Sequence, residues 1–274
     1  MNDLRPPFVA GIFEHMPARD YFSTPGFSAT GAKRILKSPR HYRYAQENPS
    51  PPTAAMLFGS AVHEGVLEPA TFAERVVCAP EIDKRSKAGK ADWADFQFLN
   101  EGKIILAPDD FARAEECIFA VLEHPAASAL LEGARREVSL FWQCPQWNIK
   151  RKARLDAWQD AIIVDLKTCA DASAAGFAKQ VENFQYHIQA ANYCEGYRVL
   201  NGRDPDAWIF IAAESEPPHA VAVRSLPWEA IQVGARLMDA ACERYRDCSE
   251  SGVWPGYEQT IEPLIFKPWF YKEQ

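Results

Sequence analysis

A chain of 274 residues with 47% hydrophobic content can bury one large core, or one core with a helical annex. Its net charge of −7, from 30 basic and 37 acidic side chains, gives no global attraction to nucleic acid, so any such contact must be local. Seven scattered cysteines with no CxxC pair argue against a disulfide framework, a zinc site or an iron–sulfur cluster.

The first residues, MNDLRPPFVAGIFEH, lack a charged-then-apolar signal. No apolar run reaches transmembrane length, so a cytoplasmic protein without membrane contact is expected. Residues 1–27 read as an irregular lead. Ser28 is an N-cap for a helix to Leu36, and Ser38-Pro39 restarts the chain into a second short helix. After the break NPSPPT (48–53), Thr53 caps a helix over 54–67 on which Gly59 and His63 share a face. The basic, Gly-containing segment 84–90 reads as an exposed loop. A helix from Pro108 to His124 carries a core stripe of Phe111, Ala114, Ile118, Val121 and Leu122. EVSLFW (137–142) alternates as a strand, with Glu137 at its start as a candidate metal carboxylate.

The stretch KRKARLDAWQDAIIVDLK (150–167) is the most informative. Split at Gln159-Asp160, it gives two strands, one with Ala153, Leu155 and Ala157 on a face, the other with Ile162, Val164 and Leu166. Arg154, Asp156, Asp165 and Lys167 then share the opposite face. A turn centred on Gln159-Asp160 sets Asp156 opposite Ile163, with Asp165 its diagonal neighbour at roughly 7–8 Å. Two carboxylates about 5 Å apart repel by about 3 kcal/mol at an effective dielectric near 20. A divalent cation between them offsets both, which marks a metal site.

Beyond the hairpin, Asp171 or Ser173 caps a short helix to Val181. A longer helix over 184–200 aligns Tyr186, Gln189, Tyr193 and Tyr197 on one face. Tyr197 reads as core, whereas a buried Gln189 amide needs partners, such as a metal ligand or a phosphate. Strands 207–213 and 219–225 precede a final helix that starts at Pro227. The Pro-punctuated aromatic tail 254–274 is expected to pack across the body or a neighbouring subunit. Basic clusters at 33–43, 84–90 and 150–154 suggest a local phosphate track, with Arg34, Arg40, Arg85, Lys87 and Arg154 as candidate DNA contacts.

Gly59-x-x-x-His63, Asp156, Asp165-x-Lys167 and Gln189-x-x-x-Tyr193, in this order, resemble the RecB-like branch of the PD-(D/E)xK nuclease superfamily. More narrowly, GSAVHEGVLEP, KARLD, DLKT, YHIQAANY and Trp254-Pro255-Gly256 resemble the RecE-type phage exonucleases, such as exodeoxyribonuclease VIII. The resemblance implies an α/β fold with a central mixed sheet flanked by helices. It makes 1–274 one nuclease domain, with an N-terminal helical region (1–52), a core (53–252) and a tail (253–274). It implies Mg²⁺- or Mn²⁺-dependent digestion of linear duplex DNA from 5′ ends, leaving 3′ overhangs for recombination by strand annealing. A ring-like homo-oligomer and a RecT-like single-strand annealing partner are implied as well. Asp156, Asp165 and the Leu166 carbonyl would then hold metal, with His63 serving a second ion. Lys167 would orient or deprotonate the attacking water, with Gln189 and Tyr193 in support. A RecB- or Cas4-like nuclease of other polarity, or a catalytically silent DNA-binding scaffold, are the alternatives. Absent hydrolysis would favour the scaffold.

Overall fold

Side-chain caps decide where many of the helices start. A computed structural model describes residues 7–83 and 85–266. Within the lead expected to be irregular lie a short strand β1 (Gly11–Phe13) and helix α1 (Ala18–Ser23). Ser28 and Ser38 cap α2 (Ala29–Lys37) and α3 (Pro39–Glu47), accepting from the backbone N–H of Gly31 and His41, and Thr53 caps α4 (Ala54–Leu67). Then come α5 (Phe72–Arg75), β2 (Val76–Cys78), α6 (Lys87–Leu99), β3 (Ile104–Leu106), α7 (Pro108–Glu123) and α8 (Pro125–Leu131). The second half holds β4 (Arg135–Gln143), β5 (Lys150–Gln159), β6 (Ile162–Cys169), α9 (Ala174–Asn183) and α10 (Tyr186–Asn201). It closes with β7 (Ala207–Glu214), β8 (Val221–Ser225) and α11 (Trp228–Ser251).

One expectation fails here: from Lys87 onward the supposed basic loop is helical. Ser86 caps it by accepting from Gly89 N–H, and a Cβ on Gly89 would lie 2.1 Å from the Asp83 carbonyl. Glycine therefore serves the close approach of the preceding turn rather than breaking the helix. Lys84 lies outside the described residues.

Six strands form one mixed sheet in the order β1-β4-β5-β6-β7-β8; β6 and β7 run parallel and the other neighbours antiparallel. The parallel pair requires a crossover, supplied by α9 and α10. On one face Leu140, Trp142, Leu155, Trp158, Ile163 and Phe210 pack with residues of α9, α10 and α11. On the other, Val164, Leu166, Ile211 and Ala213 pack with α4, α7 and α8. Both faces are thus covered.

The alternation itself breaks. Ala153 and Leu155 belong to the first cluster, but Ala157, expected beside them, belongs to the second. The β4–β5 ladder skips the Glu137–Asp156 step, where Glu137 has a left-handed φ of 53°. One left-handed residue in mid-strand twists the strand locally, so the pleat changes face there.

A third cluster fixes α2 on α11 through Phe27, Ile35, Met238, Ala241 and Cys242. Of the tail, Trp254 stacks on Tyr42 at 5.5 Å, as expected of a segment that packs on the body. Ile261, Leu264 and Ile265 do not pack, being exposed, and 267–274 lie outside the described residues. Among the described residues no helix is long and apolar enough to cross a membrane.

Candidate metal centre

The hairpin turn is shifted by one residue from its expected place. Gln159 pairs with Ile162, Trp158 with Ile163 and Ala157 with Val164, so Asp160-Ala161 forms the two-residue turn. Asp160 takes a left-handed φ of 51°, which aspartate tolerates, and Trp158 Nε1–H donates to its carbonyl at 2.7 Å. The register therefore brings Asp156 toward Asp165, rather than opposite Ile163 as expected.

Pairing ends at that rung and the strands part. In the gap, Leu166 N–H donates to Asp156 Oδ2 at 2.8 Å, and His63 Nε2 donates to the Leu166 carbonyl at 2.7 Å. Asp156 thus takes the ladder's place for one residue. His63 arrives from α4, where Gly59, one turn earlier, lies so close to β6 that a Cβ would meet Thr168 Oγ1 at 3.1 Å. This is the close approach that makes a mid-helix glycine worthwhile.

His63, Glu137 and Asp156 each offer a ligand atom, all within 4.8 Å of one another. His63 Nε2 lies 3.7 Å from Asp156 Oδ2. Burial, then the charge of Asp165, pushes Asp156 up to about 7. Burial and the neighbouring Asp156 also raise Glu137, while burial and Lys167 lower His63 and keep its imidazole neutral. A neutral imidazole beside two carboxylates, of which Glu137 is also paired with Arg154, is a donor set fit for a divalent cation. Glu137, a tentative candidate by sequence, thus stands in the cluster.

Asp165, expected as a direct ligand, lies outside that group. Its side chain is 1% exposed; Oδ1 accepts from Gln189 Nε2 at 2.7 Å and Oδ2 lies 2.5 Å from Lys167 Nζ. Burial alone would discharge Lys167, but Asp165 and Asp156 outweigh it and the net shift is upward. The Leu166 carbonyl, also expected as a ligand, accepts from His63 Nε2–H, a bond that gives way when Nε2 turns a lone pair to a cation. Gln189 therefore meets the expected need of a buried amide for a partner by fixing a carboxylate.

A cavity of about 620 Å³ opens over the cluster, walled by Gln189 and Tyr193 of α10 and by Lys33 and Arg34 of α2. Of the candidate DNA contacts, Arg34 and Arg154 line it, and Arg40, Arg85 and Lys87 do not. Arg85 is ion-paired with Asp83. Arg154 is committed to Glu137, to the Met16 carbonyl and to Ser139. Sequence reasoning placed Lys33 only within a basic cluster. The structure sets it 5.3 Å from the centre of the Tyr186 ring, which Lys167 also meets at 5.1 Å. Burial and then Lys167 push Lys33 down to about 8. Lys152, likewise not singled out, donates to the carbonyls of Tyr21, Phe22 and Thr24 at the end of α1.

No curated protein matches this sequence. Among solved structures, the crystal structure described as "Putative exonuclease (RER070207002219) from Eubacterium rectale" is similar in fold, with a TM-score of 0.66 and 17% identity over 93% of this chain and 96% of that one. A second, described as "Crystal structure of SSO0001", has a TM-score of 0.28 and 14% identity over 78% of this chain and 84% of that one. Residues 28–264 match the model of the PDDEXK-like domain of unknown function (DUF3799), and with that match over most of its length the chain belongs to this PDDEXK-like family.

Proposed function

We propose that the chain is a divalent-metal-dependent nuclease and, within that class, a 5′→3′ exodeoxyribonuclease acting on linear duplex DNA. The observation that carries the reading is the meeting of His63, Glu137 and Asp156 beside the Asp165–Lys167 pair. Family membership supports the nuclease class, and the name borne by the similar Eubacterium rectale protein agrees with it. The polarity, the role in strand-annealing recombination, the ring-like homo-oligomer and the RecT-like partner are supported by the motif resemblance to RecE-type exonucleases.

Mg²⁺ or Mn²⁺ would be held by Asp156, Glu137 and His63, lowering the pKa of bound water and neutralising phosphate charge. Asp165 would serve a second ion only by giving up part of its pairing with Lys167. The upward shift of Lys167 keeps its ammonium charged, which suits it to stabilise charge growing on the phosphate oxygens rather than to abstract a proton. Gln189 holds Asp165, and Asp165 in turn aims Lys167. Because Lys152 and Arg154 are spent on carbonyls and on Glu137, the grip on the DNA backbone falls to Lys33 and Arg34.

The test is release of nucleotides from 5′-labelled linear duplex with Mg²⁺, by wild type and by Asp156→Ala. Undiminished release by the variant sinks the metal-centre reading. Early loss of a 3′ label sinks the polarity and leaves the nuclease class standing.

A further inference from the structure

One aromatic ring beside the metal centre is left to solvent, and the backbone next to it is strained. Phe184 closes α9 and is 58% exposed. A single exposed phenyl ring is ordinary on a protein surface, so exposure alone decides nothing. The turn that presents it is less ordinary. Gln185, the next residue, takes a left-handed φ of 53° and ψ of 47° at the start of α10, with no side-chain cap. A side chain bearing a Cβ adopts that conformation at a cost that glycine would not meet. Strain of this kind gathers at ligand clamps.

The ring is tied to the reaction centre through Tyr186. Phe184 stacks on Tyr186 with ring centres 5.7 Å apart and planes 17° apart. The Tyr186 ring in turn meets Lys167 Nζ at 5.1 Å and Lys33 Nζ at 5.3 Å. Gln180 Nε2–H donates to the Tyr186 hydroxyl at 3.3 Å and to the Thr168 carbonyl at 3.2 Å. Tyr186 is thereby pinned to the strand that carries Lys167.

Phe184 also lines a cavity of about 370 Å³ with Phe58, Thr168 and Ser215, distinct from the one over the metal cluster. It lies at the carboxyl ends of the parallel strands β6 and β7, where open α/β sheets hold their ligands. Its volume falls in the range of small-ligand pockets. Two ammonium groups on one side of Tyr186 and a bare ring on the other suit a ligand with a phosphate and a flat ring a few bonds apart. A nucleotide has both. Every base has a π-face, so a platform of this sort accepts any sequence.

We propose that Phe184 is the platform on which the base beside the scissile phosphate stacks, drawn out of its duplex while Lys33 and Lys167 hold the backbone. The proposal rests on the nuclease reading and adds to it a grip on one unpaired base.

The experiment measures KM and kcat with Mg²⁺ on linear duplexes that are intact or lack the base on either side of the scissile phosphate. Phe184→Ala should raise KM on intact DNA about tenfold or more, the scale of one lost base–aromatic stack, and lower kcat less. Phe184→Trp should restore the wild-type KM, whereas Phe184→Leu, apolar but without a π-face, should not. Wild type should lose about as much on one of the two abasic duplexes, and Phe184→Ala should be indifferent to that change. A Phe184→Ala enzyme with the wild-type KM overturns the proposal, and so does one that loses a further tenfold on that abasic duplex. Either result leaves the nuclease reading standing. If wild type cuts nothing, the nuclease reading falls, and equilibrium binding of the same duplexes with Mg²⁺ decides the platform by the same comparisons. Thermal midpoints check that these substitutions of an exposed side chain leave the fold intact.

Discussion

The two ladders that flank β5 differ in kind. Toward β4 it is paired along almost its whole length, from Trp158 to Lys150, with one step skipped at Asp156. Toward β6 it is paired for three rungs and then lets go. The first ladder surrounds Leu155, Trp142 and Leu140 with core. The second leaves Leu166 N–H and carbonyl free to hold Asp156 and His63. The lesson is that the site is built from backbone groups the sheet has declined to use. It lies where both ladders of β5 are interrupted at one residue, Asp156.

If the open side carries the chemistry and the closed side the stability, substitutions should separate them. The largest effect is expected from Asp156→Asn, which keeps a side chain able to accept from Leu166 N–H but removes the charge. Hydrolysis should fall by about 10³-fold, the upper end of losing one electrostatic contact in a reaction centre. Single-turnover rates would show it, and a thermal midpoint near wild type would confirm that the fold is intact.

On the closed side, Leu155→Ala should cost about 2–5 kcal/mol of stability through the cavity it leaves. Denaturant unfolding measures this, and activity per folded molecule should stay close to wild type. A large loss of specific activity would erase the distinction between the two ladders. Lys167→Met comes next, with a fall of about 10²-fold in turnover and little change in metal affinity. Metal affinity would be read from thermal midpoints against Mg²⁺ concentration.

The pH dependence of stability sharpens the comparison without any assay of cleavage. Asp156 has a folded-state pKa of about 7 against an ordinary 3.8. Folding therefore raises its proton affinity, and between those values the folded chain binds more protons than the unfolded one. Metal-free stability should fall as pH rises from about 4 to about 7 and level off above. A bound cation displaces that proton, so the gain in thermal midpoint on adding Mg²⁺ should be larger at pH 8 than at pH 5.5. Calorimetry with and without chelator reads this; equal gains at both values would remove Asp156 from the ligand set. The smallest effect belongs to Gln189→Leu, about tenfold in rate, since it loses one hydrogen bond to a charged group.

Much of the molecule was legible from the residues. Ser28, Ser38 and Thr53 announced helix starts because capping is local chemistry, and the two strands of the hairpin announced themselves by alternation. The alternation misled where β5 changes face, so that Ala153 and Leu155 pack opposite to Ala157, Val164 and Leu166, beside a left-handed Glu137 on the neighbouring strand. A period read along one strand cannot sense its neighbour. The turn was displaced by one residue for a similar reason: the Trp158 indole holds the Asp160 carbonyl, a contact no spacing rule contains. Asp165, expected as a metal ligand, sits against Lys167 and Gln189, partners whose contacts no spacing rule supplies. Lys33 and Lys152 escaped notice because their partners, Tyr186 and the carbonyls of α1, lie far away in the chain.

That distance has a consequence for how the molecule comes into being. Lys152 joins Tyr21 across 131 positions, Arg154 joins Met16 across 138, and His63 joins Leu166 across 103. Contacts of such long span close slowly, because the intervening loop must be ordered before any of them is rewarded. On the ribosome, Met16 and Tyr21 must wait for more than a hundred further residues before the strand that holds them exists. The wall of the cavity and the metal cluster should therefore form among the last events of folding, leaving the chain chemically inert until it is nearly complete.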